Sequence, residues 1–320
     1  MSTLTSTFGA RAEAAFDPAG IDFWVESSMG PVKSRIFRAA DGNTGRVVYA
    51  LDGMRAREDL NGWEIETDTA RMLTEQNINV VMPVGGQSSF YADWERASTF
   101  VGSTGDALAD AAGMGGSKIF ANGPGKSYRY AWETFLTRDL RDALRDRLGF
   151  SPVRNGVFGL SMGGSAALTL AAHHPDQFSF AGTMSGYLTP SSPGMRKAIG
   201  AAMLDAGGYN LDCMIASPLS RKWSRMDPFA FAPRLIANNT RVWVSSATGV
   251  PTTEQFSVDR VVGSGLEVLA WASSRTFQAR MNSLGATNVA YDFPAAGIHS
   301  WPYWEAQVVK MLPDLSAHIG

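Results

Sequence analysis

Seven short runs rich in apolar and β-branched residues punctuate the chain. They are SRIFRA (Ser34–Ala39), RVVYAL (Arg46–Leu51), INVVMPV (Ile78–Val84), NGVFGL (Asn155–Leu160), FAGTMS (Phe180–Ser185), RVWVSSA (Arg241–Ala247) and NVAYDF (Asn288–Phe293). Between them lie patterns of helical period: WETFLTRDLRDALRDRLG (Trp132–Gly149), GSAALTLAAHH (Gly164–His174) and EVLAWASSRTFQARMNSLG (Glu267–Gly285). Strands alternating with helices predict an α/β fold built on a mainly parallel central sheet with helices on both faces. No fixed-period repeat or low-complexity linker divides residues 1–320, so a single domain is expected. Two stretches exceed what a sheet-and-helix core needs: a glycine-rich one at about 98–126 and a longer one at about 186–240. Long insertions of this kind usually serve as lids or binding loops.

Composition narrows the function classes. Hydrophobic residues at 45% suffice for a large core, and the net charge of −2 offers no footprint for nucleic acid. The basic run RDLRDALRDR (Arg138–Arg147) alternates with acids and reads as a solvated helix face. Cys213 is the single cysteine, which excludes an internal disulfide and a cysteine-built metal site, and no metal cluster or cofactor is expected. No apolar run is long enough to predict a transmembrane segment. The opening MSTLTSTFGARAEAAFDP has neither a basic start nor an apolar centre, so it does not read as an intact signal peptide.

The most informative stretch is Gly159-Leu160-Ser161-Met162-Gly163, with a predicted strand before it and a predicted helix after. This is the setting of the nucleophile elbow of the α/β-hydrolase fold, where G-x-S-x-G relieves crowding around a strained serine. A bare glycine-rich strand-to-helix turn is the structural alternative. Catalysis requires a base for the serine and an acid to orient that base, in the chain order serine, acid, histidine. His173 and His174 sit at the end of the helix after the serine, and His318 lies near the terminus. His299, on the loop after the last predicted strand, remains as the base. Glu254, Asp259 and Glu267 are candidate acids that spacing does not separate, while Asp292 falls inside the final strand. Glu267 also has a structural reading, as a favourable charge opening a helix. Backbone donors for the oxyanion are expected at Met162, after the nucleophile, and at Met54, in the loop after RVVYAL. Asp52 and Arg55 flank Met54, placed either to bind a polyhydroxylated substrate or to pair with one another.

Taken together, the motifs resemble those of the antigen 85 family of mycolyltransferases. The resemblance runs from YALDGMRAREDLNGWEIET (Tyr49–Thr67) through VVMPVGGQSSFYADW (Val80–Trp94), GLSMGGSAAL (Gly159–Leu168), AAHHPDQF (Ala171–Phe178), DAGGYN (Asp205–Asn210) and LIANNTRVWV (Leu235–Val244) to FPAAGIHSWPYW (Phe293–Trp304). It implies a secreted cell-envelope enzyme that moves a mycolic acyl chain from trehalose monomycolate. The acceptor is a second trehalose monomycolate, giving the dimycolate, or wall arabinogalactan. The resemblance implies Ser161 as nucleophile, His299 as base and Glu267 as acid, matched by its Leu266-Glu267 setting. It puts the oxyanion amides on Met54 and Met162, and sugar contacts on Asp52, Arg55, Ser300 and Trp301.

Three departures qualify the pattern. Ser246 stands where several family members carry cysteine, so the thiol-based inhibition known in the family is not expected. Thr189 replaces an Asp or Asn and alters one sugar contact. The long glycine-rich insertion at 98–126 suggests a corynebacterial-type member. Two other functions fit the same residues: a carboxylesterase with water as acceptor, and a surface protein binding extracellular matrix. Product analysis with trehalose present separates the first; Ser161→Ala separates the second, since binding would outlast turnover.

Overall fold

The computed structural model describes residues 16–99, 127–251 and 258–320, with backbone alone at residues 99, 127, 128 and 258–260. Eight strands form one sheet: β1 (Ile21–Ser27), β2 (Gly30–Phe37), β3 (Val47–Leu51), β4 (Asn79–Pro83), β5 (Asn155–Leu160), β6 (Phe178–Met184), β7 (Arg241–Ser245) and β8 (Val289–Asp292). Their spatial order is β1-β2-β4-β3-β5-β6-β7-β8; β1/β2 and β2/β4 are antiparallel and every later pair is parallel. All seven expected strands are present, and β1 is an eighth that the pattern did not predict. Only Phe23 and Val25 of β1 are buried while Trp24 is exposed, so this edge strand lacks the apolar run of its central neighbours.

The central strands β3, β4 and β5 are buried throughout, which is why they read as unbroken apolar runs. Helices cover both faces. On one side, α1 (Gly62–Ile65), α2 (Thr69–Glu75) and the C-terminal α10 (Trp301–His318) close a core containing Val48, Val80, Phe158, Phe180 and Met311. On the other, Trp132–Thr134, a π turn at Phe135–Asp139 and Leu140–Leu148 run on as α3, which contributes with α4 (Met162–His173) and α9 (Val258–Ser283) to a second core. Because β4-β3-β5-β6-β7-β8 run parallel, the loops after β3, β5, β6 and β7 all leave one rim, and ligands of open parallel sheets bind at that end.

The insertion at 186–240 folds into α5 (Met195–Asp205), α6 (Leu211–Met214), α7 (Arg221–Arg225) and α8 (Pro228–Ala237). Most of the 98–126 stretch lies outside the described residues. One expectation about helices needs correction, and one helix is an addition. α9 begins at Val258, so Glu267 sits well inside it and is not an N-terminal helix charge. α10 was not anticipated, because Pro302 in its first turn and Pro313 within it look like breakers. Among the described residues no helix is long and apolar enough to cross a membrane.

Candidate active site

Ser161 stands between β5 and α4 with φ +52° and ψ −119°, a conformation that few non-glycine residues adopt. The turn is held by the Ser161 amide donating to Met184 O at 2.8 Å, and by Ser161 O accepting from Ser165 N–H at 3.1 Å. It is also so tight that its glycines are obligatory. A Cβ on Gly159 would lie 2.5 Å from the Gly163 carbonyl carbon, and one on Gly163 would lie 2.3 Å from Asp52 O. The serine-glycine pattern therefore makes a strained elbow, with 7% of Ser161 exposed.

Glu267 approaches the rim from α9 and is fully buried. Its Oε1 accepts hydrogen bonds from Ser185 Oγ (2.9 Å), Ser246 Oγ (2.9 Å) and Ala247 N–H (2.8 Å). Its Oε2 lies 3.0 Å from His299 Nδ1. This set fixes the carboxylate and leaves the opposite ring nitrogen of His299 unspent on it, the arrangement a general base needs. The His299 ring meets Trp304 edge-on at 4.9 Å, and Trp304 Nε1 in turn donates to Ser185 Oγ at 2.9 Å. Glu254 and the Asp259 side chain lie outside the described residues; Asp292 accepts from Gln307 and Lys310 in β8, away from this pairing.

Contacts connect the two halves of the rim. Gly53 is the neighbour of the serine: a Cβ there would come within 3.9 Å of Ser161 Cβ. Asp52 accepts from Gly53 N–H at 2.7 Å and Gly62 N–H at 2.8 Å. Trp301 lies over Gly62, where a Cβ would meet its ring at 2.4 Å, and it packs edge-on against Trp304, the neighbour of His299. Among the described residues the Ser161 hydroxyl makes no hydrogen bond to the His299 ring; the structure joins acid to base directly and leaves the serine on the same rim. Catalytic hydrogen bonds commonly tighten only when substrate arrives.

The amides of Met54 and Met162 donate no hydrogen bond among the described residues. Asp52 is buried, which pushes its carboxyl up to about 6 despite the opposing pull of the Gly62 and Gly53 amides. The alternative in which Asp52 and Arg55 pair with one another is overturned: Arg55 forms an ion pair with Asp205 at the end of α5. Thr189 is buried and its hydroxyl is shared with Ser273 Oγ at 3.0 Å. Ser300 is the N-cap residue of α10, and its hydroxyl donates to Ile298 O at 3.3 Å. The other histidines are engaged elsewhere: His173 with Arg225 O, His174 with Glu133, and His318 with Asp314 O. Cys213 is buried. Among the described residues no group of three or more His, Cys, Asp or Glu side chains is arranged to hold a metal ion.

Sequence reasoning missed Ser185, Trp304, Tyr91 and Gly62. Their roles depend on approaches between distant segments; Gly62, Tyr91 and Trp304 fall within the motifs quoted for the family resemblance, whereas Ser185 falls in none of them.

Known proteins are similar to this chain over most of its length. The esterase family model matches residues 31–315. The chain is 37% identical over 308 residues to the diacylglycerol acyltransferase/mycolyltransferase Ag85C of Mycobacterium avium, covering 96% of this chain and 80% of that protein. It is 39% identical over 274 residues to Ag85C of Mycobacterium leprae, covering 86% and 75%. Among solved structures, Mycobacterium tuberculosis MPT51 superposes with a TM-score of 0.75 at 30% identity, covering 94% of this chain and 99% of that one. An S-formylglutathione hydrolase from Agrobacterium tumefaciens, 15% identical with a TM-score of 0.62 over 96% and 98%, shares the α/β-hydrolase fold. The chain belongs to the antigen 85 family of acyltransferase/mycolyltransferases, and it is an acyl-transferring enzyme of the α/β-hydrolase fold.

Proposed function

We propose that this protein moves a mycolic acyl chain from trehalose monomycolate to a second sugar hydroxyl through an acyl-enzyme on Ser161, as a secreted enzyme of the cell envelope. The Ser161 hydroxyl attacks the ester carbonyl while its proton passes to His299 Nε2. The Ser161–acyl bond forms, the ester C–O bond breaks, and trehalose leaves with the proton returned by His299. An acceptor hydroxyl then gives its proton to His299, attacks the acyl-enzyme and restores the free serine. The acceptor is trehalose monomycolate, giving the dimycolate, or arabinogalactan. Glu267 keeps the His299 proton on Nδ1 and balances the charge of the imidazolium. The Met54 and Met162 amides receive the oxyanion. Asp52, Ser300 and Trp301 offer polar and aromatic contacts to the sugar, and Arg55 joins them when it leaves Asp205.

The observation that carries this reading is the buried Glu267 carboxylate, held by three donors and bonded to His299 at 3.0 Å on the rim where the strained Ser161 stands. The test is product analysis with trehalose monomycolate as donor. Acylated sugar in excess of free mycolic acid is expected; free acid alone, even with abundant sugar acceptor, would make the protein a carboxylesterase.

A further inference from the structure

Behind Met54 and Met162 runs the loop Gly85–Tyr91, which follows β4 and is buried at every residue. Connecting segments ordinarily run over the surface, so a loop this deep needs a reason. Its backbone is also strained. Gly85 (φ +93°), Gly86 (+84°), Ser88 (+55°), Phe90 (+52°) and Tyr91 (+47°) are all left-handed. Non-glycine residues stay in that region only where their surroundings over-determine them, and such strain gathers at functional sites.

Aromatic residues clamp the loop from outside. Tyr130 donates its hydroxyl to Gln87 O at 2.8 Å, and Trp94 Nε1 donates to Ser89 O at 3.0 Å. Trp132 presses on Gly86, where a Cβ would come within 3.0 Å of its ring, and meets the Tyr91 ring edge-on at 5.4 Å. Inside, the loop reaches three residues of the candidate site. Ser88 N–H donates to Met54 O at 3.0 Å, Phe90 N–H points to Met162 Sδ at 3.2 Å, and Tyr91 Oη accepts the Asp52 amide at 3.0 Å. One clamped segment thus touches both proposed oxyanion donors' residues and the peptide two positions before Met54.

We propose that Gly85–Tyr91 is a brace that sets the oxyanion geometry, with Tyr91 as its positioning residue. The proposal rests on the reading of Ser161 as nucleophile with the Met54 and Met162 amides as its oxyanion donors. Such donors act only when held in place before charge develops. The Tyr91 hydroxyl fixes the Asp52 peptide, and the Ser88 amide fixes the Met54 carbonyl, so the turn between them cannot rotate its N–H away from the rim. Without the Tyr91 hydroxyl the buried Asp52 amide loses its acceptor and the turn gains freedom to seek another.

The test uses p-nitrophenyl butyrate, whose acyl group forms the Ser161 ester as p-nitrophenolate leaves. The burst rate at saturating ester, KM and Tm are measured for wild type and three variants. Tyr91→Phe is expected to slow the burst about 10-fold, short of the loss on deleting a donor, with KM within about two-fold. Ser89→Ala removes the hydroxyl that accepts the Tyr91 amide at 2.9 Å and is expected to slow the burst about three-fold. Tyr49→Phe deletes another buried hydroxyl, one facing Gln177 away from the loop, and is expected to keep the wild-type rate whatever its Tm. The brace is overturned if the Tyr91→Phe burst matches wild type, or if Tyr49→Phe slows the burst equally for the same loss of Tm. Should Tyr91→Phe not fold, Ser89→Ala decides by the same comparison. A Ser161→Ala variant that releases p-nitrophenolate at the wild-type rate overturns the reading of Ser161 itself, and the brace with it.

Discussion

Glu267 divides its two oxygens between tasks: Oε1 takes three donors and Oε2 faces His299. An amide there cannot accept at both ends, so Glu267→Gln must turn its NH₂ group either toward the three donors or toward Nδ1–H. The expected cost is about 10³–10⁴-fold in kcat with KM little changed, measured with a short-chain ester. Asp52 and His173 give opposite signs in a pH titration. Burial raises the Asp52 carboxyl from 3.8 to about 6, so its stabilising contribution is complete below 3.8 and lost as pH rises through about 6. Burial and the nearby Arg225 and Arg234 depress His173 from 6.5 to about 4, so its contribution is complete above 6.5 and lost as pH falls through about 4. Between pH 7 and 4 the two oppose one another. Relative to wild type, Asp52→Asn should steepen the acid-side fall of Tm and His173→Gln should flatten it. A parallel pair of Tm profiles would contradict both assignments.

At the scale of elements, the site depends on how loops are tied down. α8 is capped by Asp227, whose carboxylate accepts from Phe229 N–H at 2.9 Å and Ala230 N–H at 3.3 Å and also holds Ser191 N–H at 3.1 Å. Asp227→Ala should cost about 1–2 kcal/mol by chemical denaturation, the usual value of an N-cap. α1 is tied to the sheet through Glu64 and Arg35, both buried, with Arg35 Nε 3.0 Å from Glu64 Oε2. Glu64→Ala would leave the buried Arg35 with Asp22, 2.8 Å away, as its remaining carboxylate and is expected to cost about 3 kcal/mol, the low end for breaking a buried pair. Elements were legible in the sequence where burial made the pattern simple. VVYAL and NVVMP read as strands because every residue is buried, and the elbow read because glycine alone fits at Gly159 and Gly163. β1 shows only alternate burial beside an exposed Trp24, and α10 hides behind two prolines. The first turns of α9 carry Gly263 and Gly265, which disguise them as loop and make Glu267 look like a helix start.

For the molecule as a whole, the parallel half of the sheet gathers one rim from segments far apart in the chain. Chain order singled out Ser161 and His299 but left Glu254, Asp259 and Glu267 open as the acid; the resemblance selected Glu267, whose Oε2 lies 3.0 Å from His299 Nδ1. The shell that holds them was not legible. Trp304 reaches Ser185 across 119 residues and Tyr91 reaches Asp52 across 39, and no local pattern records either approach. The same limit applies to Arg55, whose partner Asp205 comes from the inserted helices. Acyl transfer at this rim therefore stands on the serine. Intact-protein mass spectrometry after brief exposure to trehalose monomycolate or a short-chain analogue, followed by peptide mapping, tests it most directly. One acyl adduct on Ser161, absent in Ser161→Ala and decaying faster as sugar acceptor is added, is the expected result. Turnover without an adduct, or the same adduct persisting in Ser161→Ala, would contradict it.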